Sequence, residues 1–123
     1  MNEAATAFVK TVSQIIGELS LGRPIKHSSR NARMQPGKYA REYFGRLNKA
    51  ISAARTLGAL PSETARFSVE EMDEMGSRVR AFGALGMSNQ IRELILTALK
   101  ERRVPPEVLS GIGNRADTIV HSE

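Results

Sequence analysis

Basic side chains are the feature of this sequence most suited to a defined chemistry, because they are concentrated in one segment. The chain has 123 residues and a net charge of +5. Residues 21–60 carry a net charge of +8, whereas residues 1–20, 61–104 and 105–123 carry −1, 0 and −2. A localised positive surface is typical of proteins that bind a polyanion. The distribution therefore predicts a nucleic-acid interface; the alternatives are an ordinary solvated face, an anionic membrane surface and a surface for an acidic protein partner.

The basic segment divides into a loop and a helix. Residues 21–37 contain two Pro, two Gly and two Ser and no acidic residue, a composition that favours a loop. Such a loop is either a basic arm that becomes ordered on phosphates or a plain surface linker. Residues 38–58 predict a helix with an apolar face and an opposite basic face. The cations predicted to contact DNA are Arg23, Lys26, Arg30, Arg33, Lys38, Arg41, Arg46 and Lys49.

No catalytic constellation is present in the sequence. There is no Cys, and the two His residues lie in the basic loop and in the C-terminal tail. The acidic residues between Glu70 and Glu74 are adjacent on a helix, so their side chains point in different directions. The short motifs of metalloproteases and nucleotide-binding loops are also missing. The sequence therefore predicts a protein that is not an enzyme, with no catalytic residues, no cofactor and no metal.

Composition predicts one domain, residues 1–123, that is mainly α with about four to five helices. Hydrophobic residues make up 41 % of the chain, but aromatic residues only 5 % and Trp none, so we expect an aliphatic core. No run of eighteen apolar residues exists, which predicts no membrane span. The N-terminus lacks a basic leader followed by an apolar block, so we expect a cytoplasmic protein. Residues 1–60 would form N-terminal helices with the basic loop, the first helix covering residues 3–19 with Asn2 as its candidate N-cap.

Residues 64–103 predict a unit of two amphipathic helices joined by a Gly-containing turn. Ser68 and Glu71 have the spacing of a capping box, in which each side chain accepts a hydrogen bond from the other residue's backbone. Ser88 is the expected N-cap of the second helix. The apolar faces comprise Met72, Met75, Val79 and Phe82 in the first helix, and Ile91, Leu94, Ile95, Ala98 and Leu99 in the second.

The remaining residues, 104–123, predict a C-terminal extension. Pro105 and Pro106 are typical of a helix start. Gly111 and Gly113 lie within the apolar pattern that follows, and Gly is unfavourable inside a helix. We therefore expect one or two helical turns packed on the rest of the chain.

The two-helix unit resembles the ribbon-helix-helix family of dimeric DNA-binding proteins. The similarity covers residues 66–103 and rests on the alternating residues 66–69, the turn at residues 85–88 and the apolar positions of residues 91–95. It implies a short strand before the third helix that pairs with its twin in a homodimer and enters the major groove. Phe67 and Val69 would face the core, and Arg66 and Ser68 would face the bases.

This resemblance implies a role in transcription control or in plasmid or phage DNA transfer. The same pattern also fits a plain helical hairpin or a helix-turn-helix without a strand. A second hypothesis, from a different functional class, is a non-enzymatic helical interaction protein, such as an adaptor, a chaperone or a virion component, whose basic surface binds an acidic protein.

Overall fold

Five helices make up the part of the chain that the structure describes. The structure is a computed structural model that describes residues 1–21, 40–82 and 87–121, with side chains as far as residue 115. The helices are α1 (Glu3–Leu21), α2 (Ala40–Thr56), α3 (Val69–Ala81), α4 (Met87–Glu101) and α5 (Pro106–His121). The prediction of a mainly α protein is therefore confirmed.

The first helix lies at the centre of the packing. α1 contacts α5 most extensively and also contacts α2 and α4. Its apolar stripe is fully buried at Val12, Ile15, Ile16 and Leu19. One cluster of buried side chains contains residues from all five helices. The helices are thus held together mainly by removing a shared set of aliphatic side chains from water. None of the described helices combines the length and the apolar character needed to cross a membrane.

Local capping signals set the starts of two helices as predicted. Asn2 Oδ1 accepts a hydrogen bond from the backbone N–H of Ala5 at 2.8 Å, which caps α1. Ser68 and Glu71 form the expected capping box, with distances of 3.1 Å and 2.9 Å for its two hydrogen bonds. α4 begins one residue earlier than its predicted cap, so Ser88 lies inside its first turn.

The helical faces predicted for α2 and α3 are also present. Tyr43, Phe44, Leu47 and Ile51 in α2 are fully buried. Met75 and Val79 of α3 are buried, and its two flanking apolar residues, Met72 and Phe82, are partly buried against the core. In α4, Ile91, Ile95 and Leu99 enter the core, whereas Leu94 and Ala98 remain half-buried at its edge.

The C-terminal helix is longer than predicted. α5 runs for 16 residues through both glycines instead of stopping after one or two turns. A Cβ atom at Gly111 would lie 3.4 Å from the Val9 Cγ2 atom of α1. Gly111 therefore lies against α1, and the apolar packing of α5 outweighs the low helix propensity of Gly.

The short strand expected before the third helix is not supported. Residues 64–68 have no strand assignment, and the described ranges 1–21, 40–82 and 87–121 contain none elsewhere. Phe67 is buried as the ribbon-helix-helix resemblance implies, but Val69 is 48 % exposed. The alternation of buried and exposed residues ends there because Ser68 already caps α3 and Val69 is its first helical residue.

The different burial of two leucines in α4 gives a test of this packing. Leu99→Ala should lower the free energy of unfolding by about 2–5 kcal/mol, because it removes a fully buried side chain. Leu94→Ala should cost clearly less, since Leu94 is only half-buried. Urea denaturation of both variants measures the difference. Equal losses would show that the assigned face of α4 is rotated.

Candidate functional site

The structure describes half of the predicted DNA-binding residues. The four cations of the predicted loop and Lys38, which follows it, lie outside the described residues: Arg23, Lys26, Arg30, Arg33 and Lys38. The other five belong to α2 and to the connector between α2 and α3: Arg41, Arg46, Lys49, Arg66 and Ser68.

Two of the predicted cations of α2 form ion pairs with neighbouring helices. Arg41 Nη1 lies 3.1 Å from Asp73 Oδ1 of α3, and Arg46 Nη1 lies 3.6 Å from Glu18 Oε2 of α1. The Arg41 and Asp73 side chains are both more than half exposed. Exposed pairs of this kind contribute about 0–1 kcal/mol and are screened by salt. A phosphate can therefore compete for Arg41 at little cost to the fold.

A third cation extends this basic face of α2. Lys49 is exposed and has no ion-pair partner within the described part of the chain, and the same holds for Arg55. Arg41, Lys49 and Arg55 project within about 120° of one another around the helix, given 3.6 residues per turn. Arg55 was missed among the predicted residues, although it belongs to the basic segment; it is exposed in the last turn of α2.

The connector between α2 and α3 is fixed by hydrogen bonds to a buried side chain. Asn48 Oδ1 accepts from the backbone N–H of Phe67 at 2.7 Å, and Asn48 Nδ2 donates to the Phe67 carbonyl at 2.9 Å. The Ser68 N–H donates to Glu71 Oε1, and the Ala65 carbonyl accepts from Arg102. A β-ribbon with a second chain needs these same backbone groups for its ladder. Their bonds within the chain are the physical reason that the strand is not supported.

The two residues expected to face the bases have different environments. Arg66 is exposed on the surface of the connector. The Ser68 hydroxyl accepts a hydrogen bond from the Glu71 N–H, so it serves the start of α3. Arg66 and Ser68 therefore do not belong to a base-reading strand in the described part of the chain, and the Ser68 hydroxyl is used by the α3 cap.

Arg102 joins the end of α4 to this connector. Its guanidinium donates to the Ala65 carbonyl at 3.1 Å and to the Ala98 carbonyl at 3.3 Å, and it forms an ion pair with Glu71. It also stacks on the Phe67 ring, 3.9 Å from the ring centroid. Only 12 % of the Arg102 side chain is exposed. Nothing in the sequence spacing distinguishes Arg102 from its neighbour Arg103.

The carboxylate of Glu71 is stabilised in its charged form by these neighbours. The hydrogen bond from the Ser68 backbone N–H is the main cause that lowers the pKa of Glu71, and the Arg102 guanidinium lowers it further. Charge-assisted hydrogen bonds favour the ionised carboxylate. Protonation of Glu71 at low pH would therefore weaken both the α3 cap and the ion pair with Arg102.

An open groove lies between α3 and α4. It has a volume of about 510 Å³, and apolar side chains from both helices and the connector line it. α3 and α4 contact each other less than the other packed pairs of helices do, which leaves this space unfilled. Its apolar lining consists of Phe67, Met75, Phe82, Leu94 and Ala98.

The rim of this groove, which we call the α3–α4 groove, is mainly acidic. Glu74 lies on the α3 side, and Glu93 and Glu101 lie on the α4 side. All three are exposed and have no ion-pair partner among the residues that the structure describes. Arg78 also lines the groove, and the Glu71–Arg102 pair closes one end. An apolar surface flanked by unpaired carboxylates can bind a molecule that is itself apolar and cationic.

The described residues contain no group of three or more acidic or His side chains arranged to hold a metal ion. Comparison with known proteins gives no further assignment: no protein-family model matches the chain, and neither the curated proteins nor the solved structures include a match.

The Asn48 bonds give a first prediction for this site. Asn48→Ala should lower the free energy of unfolding by about 2–4 kcal/mol, because two buried backbone groups of Phe67 lose their partner. Chemical denaturation measures the loss. Asn89→Ala, the same change at an exposed position of α4, should change stability by about 0.5 kcal/mol or less. A stable Asn48→Ala variant would mean that the connector is held by other contacts.

The lowered pKa of Glu71 gives a second prediction. A carboxylate whose pKa is lower in the folded state stabilises the protein at any pH above its unfolded-state pKa, here 4.5. This stabilisation is lost as the pH falls through the folded-state pKa. The free energy of unfolding should therefore decrease below pH 4.5. Glu71→Gln should make this decrease smaller, because Gln has no carboxylate to protonate. The Gln side chain still has an oxygen that can accept the hydrogen bond from the Ser68 N–H. Thermal unfolding between pH 7 and about pH 3 measures the decrease.

The matched control for this measurement is Glu70→Gln. Glu70 is the exposed neighbour of Glu71 and forms no hydrogen bond or ion pair with the described residues. Its replacement should leave the acid limb of the stability profile unchanged. Equal effects of the two substitutions would contradict a specific role for Glu71.

Proposed function

We propose that this protein is a non-enzymatic, DNA-binding protein that holds the phosphate backbone with the basic residues 22–39 and the exposed face of α2. One observation carries the proposal: residues 22–39 contain five Lys and Arg and no Asp or Glu, so their charge equals the net charge of the whole chain. The positive charge is thus local, and the rest of the chain is balanced. Local positive charge attracts a polyanion more strongly than the same charge spread evenly.

The described end of this surface supports the same interpretation. α2 starts directly after the basic residues, and it exposes Arg41, Lys49 and Arg55. Between residues 41 and 55 the helix rises about 21 Å, which is the length of about six base pairs. The ion pair of Arg41 is exposed, so it does not prevent a phosphate contact.

The acidic start of α3 limits where DNA can lie. Glu70, Asp73 and Glu74 are exposed there, and carboxylates repel phosphates. Backbone binding is therefore favourable along residues 22–55 and unfavourable over α3. This asymmetry supports one defined contact surface on the protein.

The proposed mechanism is electrostatic capture without a base-reading ribbon. The backbone groups of residues 65–68 that a ribbon needs are hydrogen-bonded within the chain. Lys and Arg contacts to phosphates give affinity that is nearly independent of sequence. The homodimer implied by the ribbon-helix-helix resemblance, and a role in transcription control or DNA transfer, stay predictions.

The decisive experiment is binding of a labelled, mixed-sequence DNA duplex at about 50 and 200 mM salt. Affinity should fall steeply with salt, because each neutralised phosphate releases counterions. Arg30→Ala with Arg33→Ala should weaken binding to all sequences alike and reduce the slope of log affinity against log salt by about 2. Fluorescence anisotropy measures both quantities.

The matched control removes two arginines elsewhere. Arg80→Ala with Arg115→Ala produces the same change of net charge on exposed positions of α3 and α5, and it should leave the slope unchanged. Equal losses in the two double variants would mean that only net charge matters. Absence of binding at the lower salt concentration would overturn the proposal and favour an acidic protein as the partner of the basic segment.

A further inference from the structure

We propose that the α3–α4 groove is a docking site for an amphipathic helix of a partner protein, with an apolar stripe flanked by Lys or Arg. This surface lies on α3 and α4 and is independent of the basic residues proposed to bind DNA. The proposal rests on three properties of the groove: its apolar lining, its length and the sign of the charge on its rim.

The lining supplies the apolar contact. Leu94 and Ala98 are one helical turn apart on α4 and are both half-buried. Phe82 lies across from them at the end of α3 and is also half-buried. Side chains that are only half-buried in the free protein gain further burial when a partner covers them, and this burial drives association.

The length of the groove matches that of a short helix. The α4 residues that line it extend from Asn89 to Glu101, which corresponds to a length of about 18 Å. A partner helix of about 12 residues has the same length and presents apolar side chains at intervals of three and four residues. An amphipathic helix seated between two others is a common mode of peptide recognition.

The rim charge selects the partner. Glu74, Glu93 and Glu101 are exposed without an ion-pair partner in the described part of the chain, whereas Arg78 is the one cation of the rim outside the Glu71–Arg102 pair. Opposite charges across an interface favour the correct partner and disfavour an acidic one. The groove therefore fits a helix with basic flanks.

A second copy of this chain fits the groove less well. Two grooves facing each other would bring two sets of unpaired carboxylates together, which is unfavourable. The exposed large apolar side chains of the described residues are Met1, Leu57 and Val69, which belong to three separate parts of the chain. They do not form a stripe that could enter the groove of another copy.

The test uses the full-length, isotope-labelled chain and two synthetic peptides of about 14 residues. Both peptides carry the same Leu and Ala stripe, and their flanks carry either Lys or Glu. The Lys peptide should bind, shift the amide resonances of Leu94, Thr97 and Ala98, and bind more tightly than the Glu peptide. Binding by neither peptide at about 1 mM, or equal binding by both, would overturn the proposal.

Three variants locate the binding. Leu94→Gln places an amide in the apolar lining and should weaken the Lys peptide about tenfold, whereas Leu57→Gln makes the same change at an exposed leucine outside the groove and should have no effect. The triple variant Glu74→Gln, Glu93→Gln and Glu101→Gln changes only exposed side chains, so it tests the rim even if Leu94→Gln impairs folding. It should remove the preference for the Lys peptide.

Two further outcomes would contradict a partner helix. Resonance shifts centred on α2 would place the peptide on the basic face. A dimer in sedimentation that Leu94→Gln converts to a monomer would show that a second copy occupies the groove. If the unmodified chain binds the Lys peptide but no DNA at the lower salt concentration, the proposed function is overturned and this inference stands.

Discussion

The pair of hydrogen bonds between the Asn48 amide and the Phe67 backbone holds the connector between α2 and α3 against α2. Asn48 is nearly fully buried on the apolar face of α2, and both ends of its amide are used by one residue of the connector. An unpaired amide at this depth would be costly, so the connector is held in one position. Phe67 then enters the core, Ser68 caps α3, and Arg102 stacks on the Phe67 ring.

This junction also shapes the surface available to partners. Arg102 and Glu71 meet at one end of the α3–α4 groove and connect the end of α4 to the start of α3. The two helices are fixed there, yet they pack sparsely along their length. A groove results because the apolar side chains that line it face each other without filling the space. Its mainly acidic rim lies on different helices from the basic face of α2.

The separation of charge suggests a division of roles within one small chain. The basic residues 22–39 and the exposed face of α2 suit a phosphate backbone, and the acidic groove suits a basic helix. On the two proposals together, the protein connects DNA to a protein partner. The two proposed surfaces have no residue in common, so each can be tested separately.

Periodicity and capping predicted the helical part of this fold well. The buried face of α2, the Asn2 cap and the Ser68–Glu71 capping box follow from interactions between residues at most four positions apart, which the sequence displays directly. The expected strand was not supported, and the length of α5 was underestimated, because both depend on contacts between residues far apart in the chain. Asn48 and Phe67 are 19 residues apart, and Gly111 packs on Val9 of the first helix; neither contact leaves a local pattern.

The sequence by itself determined the helical class, the position of the basic segment and the apolar stripe of each helix, because all three depend on residue type and short spacing. The tertiary structure decided which stripes fill the core and which remain open. It placed Leu94 and Ala98 beside a groove while Ile95 and Leu99 became buried, although all four belong to the same apolar pattern. The physical reason is that burial depends on the neighbouring helix, and the distance between α3 and α4 is set by contacts between residues far apart in the chain.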